Sequence, residues 1–325
     1  MNSEIVGVGI YLPKNKLTNN QIQDENPDWP MEKIYSKSGI KERRISDDNA
    51  FSFELAIKAV ENLFFQNIFS PADIDFVIVC TLTQKSLITV TSCMIQSHFN
   101  LKNNCGTLDL NLGCSGYTHS LIIADSLISK NLAKNVLLVT SDTISKLIAS
   151  DNRQSRPLFG DAATATLIRK TTRISGIICS DWGSDGKGAC HIGAATAGIE
   201  GLTKRENKYN PDFYMDGSEV LNFMLDKIPN FFRKLITNSR LNIENIQHII
   251  FHQANKYILK ILGDKLMLPE EKFHINMEYV GNTSSSSIPI VLHNLINTNK
   301  ISRGEKIALV GFGTGLSWSG LIFQW

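Results

Sequence analysis

The sequence predicts an α/β protein made of one unit used twice, layered helix, sheet, helix, sheet, helix, with helices buried at its centre. Three observations carry this. Landmark segments recur in the same order at nearly one offset. Short apolar strands alternate with helices along the chain, the pattern of layered α/β proteins. One helical stretch is apolar around most of its circumference, as a helix must be when it is covered on all sides.

The repeat comes first. Ile74-Asp75-Phe76-Val77-Ile78-Val79 and Ile246-Gln247-His248-Ile249-Ile250-Phe251 both read as strands, about 172 residues apart. Asn135-Val136-Leu137-Leu138-Val139 and Lys306-Ile307-Ala308-Leu309-Val310 stand about 171 apart. Gly113-Cys114-Ser115 and Gly281-Asn282-Thr283 each lie between a strand and a helix, about 168 apart. Agreement in both order and spacing favours duplication over chance likeness of apolar strands. It divides the chain into residues 1–172 and residues 173–325.

Helices are expected at 51–67, 89–99, 115–130, 218–238, 256–266 and 285–297. The 115–130 stretch carries Tyr117, Leu121, Ile122, Ile123, Leu127 and Ile128, which leave little of its surface polar. A helix of that kind fits between two sheets. Residues 180–214 hold Gly183, Gly186, Gly188, Gly193, Gly198 and Gly201, and read as long loops joining the halves.

Composition sets the class. Of 325 residues, 42% are hydrophobic and 20% charged, an ordinary globular balance that excludes a disordered, collagen-like or coiled-coil chain. A net charge of +2 exerts no global pull toward nucleic acid or a membrane surface. No apolar run approaches the length of a spanning helix. The first residues carry Glu4 and no basic region, so no export signal is expected. The expectation is a cytoplasmic protein with reduced thiols. None of Cys80, Cys93, Cys105, Cys114, Cys179 and Cys190 forms a C-x-x-C pair, so no zinc ribbon, redox pair or other metal site is expected.

Four places could carry chemistry. Cys114 lies in Leu112-Gly113-Cys114-Ser115-Gly116, where a strand ends and a buried helix begins. The free N–H groups and dipole of a helix start favour an anion, so a depressed thiol pKa and a nucleophilic role are expected. An inert buried cysteine beside a tight turn remains the alternative. His252 follows the apolar strand Ile249-Ile250-Phe251 and opens His252-Gln253-Ala254-Asn255. Ligand sites collect at such strand ends, and an imidazole there can donate to an oxyanion or move a proton; a hydrogen-bonded structural histidine is the alternative.

Asn282 lies in Gly281-Asn282-Thr283-Ser284-Ser285-Ser286-Ser287-Ile288-Pro289. Its amide can donate hydrogen bonds without ionising, which suits an oxyanion; Asn is also a common turn and cap residue. Pro289 is tolerable only in the first turns of the following helix. Finally, Gly311-Phe312-Gly313-Thr314-Gly315 follows a strand and lets backbone N–H groups converge. It lacks the spacing and the following helix of a dinucleotide motif.

Taken together these segments resemble the β-ketoacyl-acyl-carrier-protein synthase III family, with its thiolase-type fold, over nearly the whole chain. The marks run from Val6-Gly7-Val8-Gly9-Ile10-Tyr11-Leu12-Pro13 through Ser38-Gly39-Ile40-Lys41-Glu42-Arg43-Arg44, Gly113-Cys114-Ser115-Gly116 and Leu158-Phe159-Gly160-Asp161-Ala162-Ala163. Met215-Asp216-Gly217-Ser218-Glu219-Val220, His252-Gln253-Ala254-Asn255, Gly281-Asn282-Thr283-Ser284 and Gly311-Phe312-Gly313-Thr314-Gly315 complete the set. Singly they are weak; in this order they are specific.

The resemblance implies a catalytic triad of Cys114, His252 and Asn282. It implies acylation of Cys114 by acyl-CoA, then a decarboxylating Claisen condensation with malonyl-carrier-protein. Backbone N–H groups of Cys114 and the Gly313–Thr314 turn would form the oxyanion hole. It implies no cofactor and no metal, acyl-CoA and an acyl carrier protein as partners, and a homodimer. Lys33, Lys37, Arg153 and Asn255 fall at CoA-binding positions, with Lys33 where the family often has Trp. Lys256, Tyr257 and Lys260 fall at the carrier-docking helix, with Tyr257 where a basic residue is usual. Ser218 replaces a usual Asn. Leu221 and Leu316 fall at acyl-pocket positions, and Ile88 near the position that reaches the partner's acyl pocket. The altered CoA positions leave a second reading, a Cys-dependent transferase passing the acyl group to a hydroxyl or amine. A catalytically silent subunit is disfavoured, because both Cys114 and His252 are kept.

Overall fold

The computed structural model describes residues 3–67, 69–194 and 213–325. The first half opens with β1 (Ser3–Tyr11), β2 (Asn15–Thr18), α1 (Asn19–Glu25), α2 (Met31–Ser38), β3 (Glu42–Ile45) and α3 (Ser52–Phe64). It continues with β4 (Phe76–Cys80), α4 (Thr91–His98), β5 (Gly106–Leu110), α5 (Gly116–Ser129), β6 (Asn135–Asp142) and β7 (Ala162–Lys170). The second half holds β8 (Gly176–Ser184), β9 (Ile192–Ala194), β10 (Phe213–Met215), α6 (Gly217–Ser239), β11 (His248–Phe251) and α7 (Lys256–Leu266). It ends with α8 (Ser287–Asn297), β12 (Lys306–Gly313) and β13 (Ser317–Gln324).

Two main sheets repeat one order. The first runs β1-β7-β6-β4-β5 and the second β8-β13-β12-β11. β4 lies parallel to β6 with Phe76 opposite Val136, and β11 parallel to β12 with His248 opposite Ile307. The register therefore repeats at the offset seen in the sequence. Both edges toward β1 and β8 are antiparallel. Where the first sheet adds β5, the second has a single parallel bridge from Ile249 to Phe273. Continuous apolar runs such as Phe76-Val77-Ile78-Val79-Cys80 suit strands covered on both faces.

Five layers result. α3 covers the outer face of the first sheet and α6 the outer face of the second. α5 packs on β4, β6 and β7 from one side and on β8, β12 and β13 from the other; α8 lies beside it, against β1, β7 and β11. Tyr117, Leu121, Ile128, Ile288, Val291 and Leu292 fill this middle layer with almost no exposed surface. Pro289 sits in the first turn of α8, as expected.

The loop expected over 180–214 is only partly a loop. β8 runs to Ser184, Gly186–His191 forms a short 3-10 turn, and β9 pairs with β10. Gly183 is needed in β8 for packing, because a Cβ there would lie 2.4 Å from the Trp318 ring. Gly198 and Gly201 lie outside the described residues. α1 and α2 were not expected from periodicity; both are short, and α2 ends on Gly39 at φ 70. Among the described residues no helix is long and apolar enough to cross a membrane.

Gly116 opens α5 against the neighbouring strand. A Cβ added there would lie 2.1 Å from Cys80 Sγ. Gly116→Ala is expected to destabilise the protein by about 1–3 kcal/mol in urea unfolding, through overpacking. Adding Cys80→Ala to that variant should recover part of the loss. A strictly additive double mutant would show that the two sites do not compete for the same space.

Candidate active site

The layered packing places the starts of the two central helices at one end of the molecule. Cys114 precedes α5 by two residues. Asn282 stands two residues before the helical turn Ser284–Ser286 that leads into α8. His252 directly follows β11. All three line one cavity of about 520 Å³, together with Gly313 and Thr314 at the end of β12. Residues far apart in sequence thus share one space.

Backbone packing holds Cys114 against the second half. A Cβ on Gly313 would lie 2.8 Å from Cys114 Cβ and 3.2 Å from Sγ. Only glycine allows β12 to approach Cys114 so closely. Asn282 is pinned in turn: its N–H donates to Leu158 O at 2.8 Å and its C=O accepts from Gly160 N–H at 3.0 Å. Arg43 braces that pairing from below. Its wholly buried guanidinium donates to Leu17 O, Asn19 Oδ1 and Pro157 O, and burial lowers its pKa to about 10.

Hydrogen bonds within the protein decide which polar atoms face the cavity. Asn282 Oδ1 accepts from Ser284 N–H at 3.0 Å, so the acceptor end of the amide is used internally. The Nδ2 donors remain. His252 Nδ1 lies 2.7 Å from Ser287 Oγ. Ser287 Oγ also accepts from Gln253 N–H at 3.4 Å, and among the described residues Nδ1 is the one acceptor its own proton can reach, so the hydroxyl donates to Nδ1. The ring hydrogen then sits on Nε2. The edge of the Phe312 ring meets the imidazole at 5.6 Å between centroids. Each residue therefore presents hydrogen-bond donors without carrying charge.

Burial keeps both titratable members neutral. His252 is 2% exposed, and desolvation lowers its pKa to about 3. The thiol of Cys114 is pushed up to about 12, by burial first and then by the Asp142 carboxylate. This corrects the expectation of a depressed thiol. The first N–H of α5, from Gly116, donates to Gly113 O at 2.7 Å rather than toward an anion. Desolvation outweighs what the helix start offers. Asp142 itself is fully buried and pushed up to about 6 by desolvation, although Leu82 N–H and Ser285 Oγ–H bind it at 2.8 and 2.6 Å.

The remaining expected site residues scatter. Lys37, in the last turn of α2, and Asn255 line the cavity. Asn255 also caps α7, accepting from Ile258 N–H at 2.8 Å. Lys33 and Arg153 are exposed and do not line it. Lys256, Tyr257 and Lys260 are exposed on the first turns of α7. Ser218, in place of the usual Asn, donates to the helix cap Asp216 at 2.6 Å.

Leu221 and Leu316 differ most from expectation. Leu316 is buried in the core, its side chain where a Cβ on Gly188 would be. Leu221 packs into the core behind α6, because Gly217, Val220 and Met224 take the cavity face of that helix. Ile88, expected to reach a partner's pocket, is 91% exposed and does not line its own chain's cavity. The apolar wall comes instead from Leu82, Ile144, Phe159, Ile192, Phe213 and Met215. No single motif marks that set, since its members come from five separate segments; only Phe159 and Met215 fall within marks read from the sequence. Asp142 and Ser287 were also missed. An acid ending an otherwise apolar strand was the available signal for the first, and the serine run before Pro289 for the second. Among the described residues no group of His, Cys, Asp and Glu is arranged to hold a metal ion.

A protonated resting thiol has a kinetic signature. Iodoacetamide alkylation of Cys114, followed on its own peptide by mass spectrometry, should accelerate about tenfold per pH unit from about pH 6 to 9. A plateau below about pH 8 would mean that the thiolate already exists, contrary to the raised pKa.

Known proteins match along the entire chain. Residues 108–186 match the family described as 3-oxoacyl-[acyl-carrier-protein (ACP)] synthase III, and residues 236–325 match its C-terminal part. The chain is 34% identical to β-ketoacyl-[acyl-carrier-protein] synthase III of Listeria monocytogenes, covering 100% of this chain and 99% of that protein. It is 35% identical to the protein of the same name from Clostridium acetobutylicum, covering 100% and 99%. A crystal structure of a 3-oxoacyl-(acyl-carrier-protein) synthase III superposes with a TM-score of 0.95 at 34% identity, covering 100% of both chains.

Proposed function

The chain belongs to the 3-oxoacyl-[acyl-carrier-protein] synthase III family, and from that premise we propose how its own residues divide the chain-initiating condensation. Cys114 attacks the carbonyl of an acyl-CoA. The S–C bond to the enzyme forms, the bond to the CoA sulfur breaks, and the cysteine proton passes to that sulfur, so CoA leaves as a thiol. The N–H groups of Cys114 and Thr314 stabilise the oxyanion of this step. Each such donor is worth about 3–4 kcal/mol of barrier.

Malonyl-carrier-protein then enters. His252 Nε2–H and the Asn282 amide donate to its thioester carbonyl, CO2 leaves, and the electron pair collects on that oxygen as an enolate. The enolate carbon attacks the acyl-cysteine. A 3-oxoacyl-carrier-protein forms, the S–C bond to Cys114 breaks, and its sulfur takes a proton from water to restore the thiol. The carrying observation is that His252 and Asn282 each direct hydrogen-bond donors into the cavity that Cys114 shares. Transfer to a hydroxyl or amine would have no use for that neutral donor pair, so the condensation is preferred.

The supporting cast follows from position. The apolar wall holds the acyl chain. Lys37 and Asn255 guide the CoA arm, with Lys33 and Arg153 near its nucleotide end. Lys256, Tyr257 and Lys260 form the docking face for an acidic carrier, an interaction that sets register and encounter rate. The protein works in the cytoplasm as a homodimer, with Ile88 reaching the partner's pocket, and uses no cofactor beyond its substrates.

The experiment supplies acyl-CoA and radiolabelled malonyl-carrier-protein. Release of CO2 with a 3-oxoacyl product is expected; acylation without either product would reject the condensation. Cys114→Ala should abolish self-acylation. Asn282→Ala should leave acylation intact and slow condensation by about 10²-fold or more, the usual cost of an oxyanion donor. Since His252 binds a proton only near pH 3, condensation should show no acid limb from this group between about pH 5 and 8. The same shift has a stability consequence. An unfolded histidine protonates near pH 6.5, so the folded state loses stability as pH falls from there toward 3. His252→Gln should remove that part of the acid sensitivity.

A further inference from the structure

Beyond the triad, one buried chain of hydroxyl groups joins the two halves beside the nucleophile. Ser317 Oγ donates to Thr314 O at 2.7 Å. A carbonyl can only accept, so the single Ser317 proton is used there. Ser115 Oγ lies 2.7 Å from Ser317 Oγ and must therefore be the donor of that pair. The direction runs from Ser115 through Ser317 to the Thr314 carbonyl. Ser115 is 0% and Ser317 7% exposed, and neither lines the cavity that Thr314 lines. The chain thus draws the Thr314 carbonyl into the protein and away from the cavity.

A second rung reinforces the first. Thr118 Oγ1 donates to Ser115 O at 2.9 Å, and Ser319 Oγ reaches the same oxygen at 3.2 Å. Residue 115, the N-cap of α5, and residue 118 in its first turn face residues 317 and 319, alternate positions on β13. Both rungs match the periods of helix and strand. The turn they secure has little stiffness of its own, because Thr314 stands between two glycines and Gly315 has φ +125.

We infer that Ser115 and Ser317 are positioning residues for the oxyanion hole: they hold the Thr314 turn in register with Cys114. The inference rests on the acyl-transfer role proposed for Cys114. Freed from Ser317, Thr314 can turn between its two glycines, carrying its N–H off the developing oxyanion and its carbonyl, the negative end of the next peptide dipole, toward it.

The test compares Ser317→Ala, Ser317→Thr and Ser115→Ala with the unaltered protein. Single-turnover acylation of Cys114 by acyl-CoA gives rate and KM, and iodoacetamide alkylation serves as a reaction that builds no oxyanion. Ser317→Ala should slow acylation at least about tenfold with KM nearly unchanged, since misplacing one donor is costly. Ser317→Thr keeps the hydroxyl and should retain most of the rate. Ser115→Ala leaves the Ser317 bond to Thr314 and should have a smaller effect. Alkylation should be unchanged in all three. Normal acylation in Ser317→Ala, or alkylation that falls in parallel with it, would overturn the inference. Absence of acylation in the unaltered protein would instead overturn the proposed function.

Discussion

Two central helices that are apolar on nearly every side can be stable only if something covers every side. α5 and α8 satisfy this by lying together between two sheets. Their starts then fall at the same end of the molecule. Cys114 precedes one helix and Asn282 the turn into the other, so the requirement to bury these helices also brings sulfur and carboxamide to a common space. β11 and β12 end at that same place, which adds His252 and the Gly313–Thr314 turn. The duplicated architecture is in this sense the cause of the site, since each half contributes what the other lacks.

Within the site, desolvation sets the chemistry. The cavity keeps the imidazole unprotonated and the thiol protonated, so the resting site carries no charge on either group. A neutral donor pair suits a reaction whose negative charge appears only when CO2 departs. Donors fixed by Ser287 and by the Ser284 N–H need no reorientation at that moment. The cost falls on the nucleophile, whose proton must leave as the thioester bond forms. Asp142 contributes to that cost while anchoring Leu82 in the cavity wall and Ser285 at the approach to α8.

Much of this was legible in the sequence, for physical reasons that can be named. Strands buried on both faces leave continuous apolar runs, so the repeat could be read from Phe76–Cys80 and its counterpart. Glycines at close approaches leave motifs, so Gly113 and Gly313 marked the surroundings of Cys114. The cavity wall left little such trace, only Phe159 and Met215 falling within motifs. Leu221 follows the Met215–Val220 motif immediately, but one helical residue turns the side chain by about 100°, and Val220 and Met224 take the inner face instead. Leu316 adjoins the oxyanion turn yet points into the core at Gly188. The thiol pKa was misjudged because a helix start is visible in sequence, whereas the depth of burial is not.

The central claim is that the second half supplies a complete cradle for decarboxylation, separate from the sulfur of the first. The most direct measurement is CO2 release from malonyl-carrier-protein by folded Cys114→Ala, with Cys114→Ala/Asn282→Ala as its control. The account expects release from the single variant, without any condensed product, and its loss in the double variant. Equal release from both, or none from the single variant, would contradict the assignment of the donor pair.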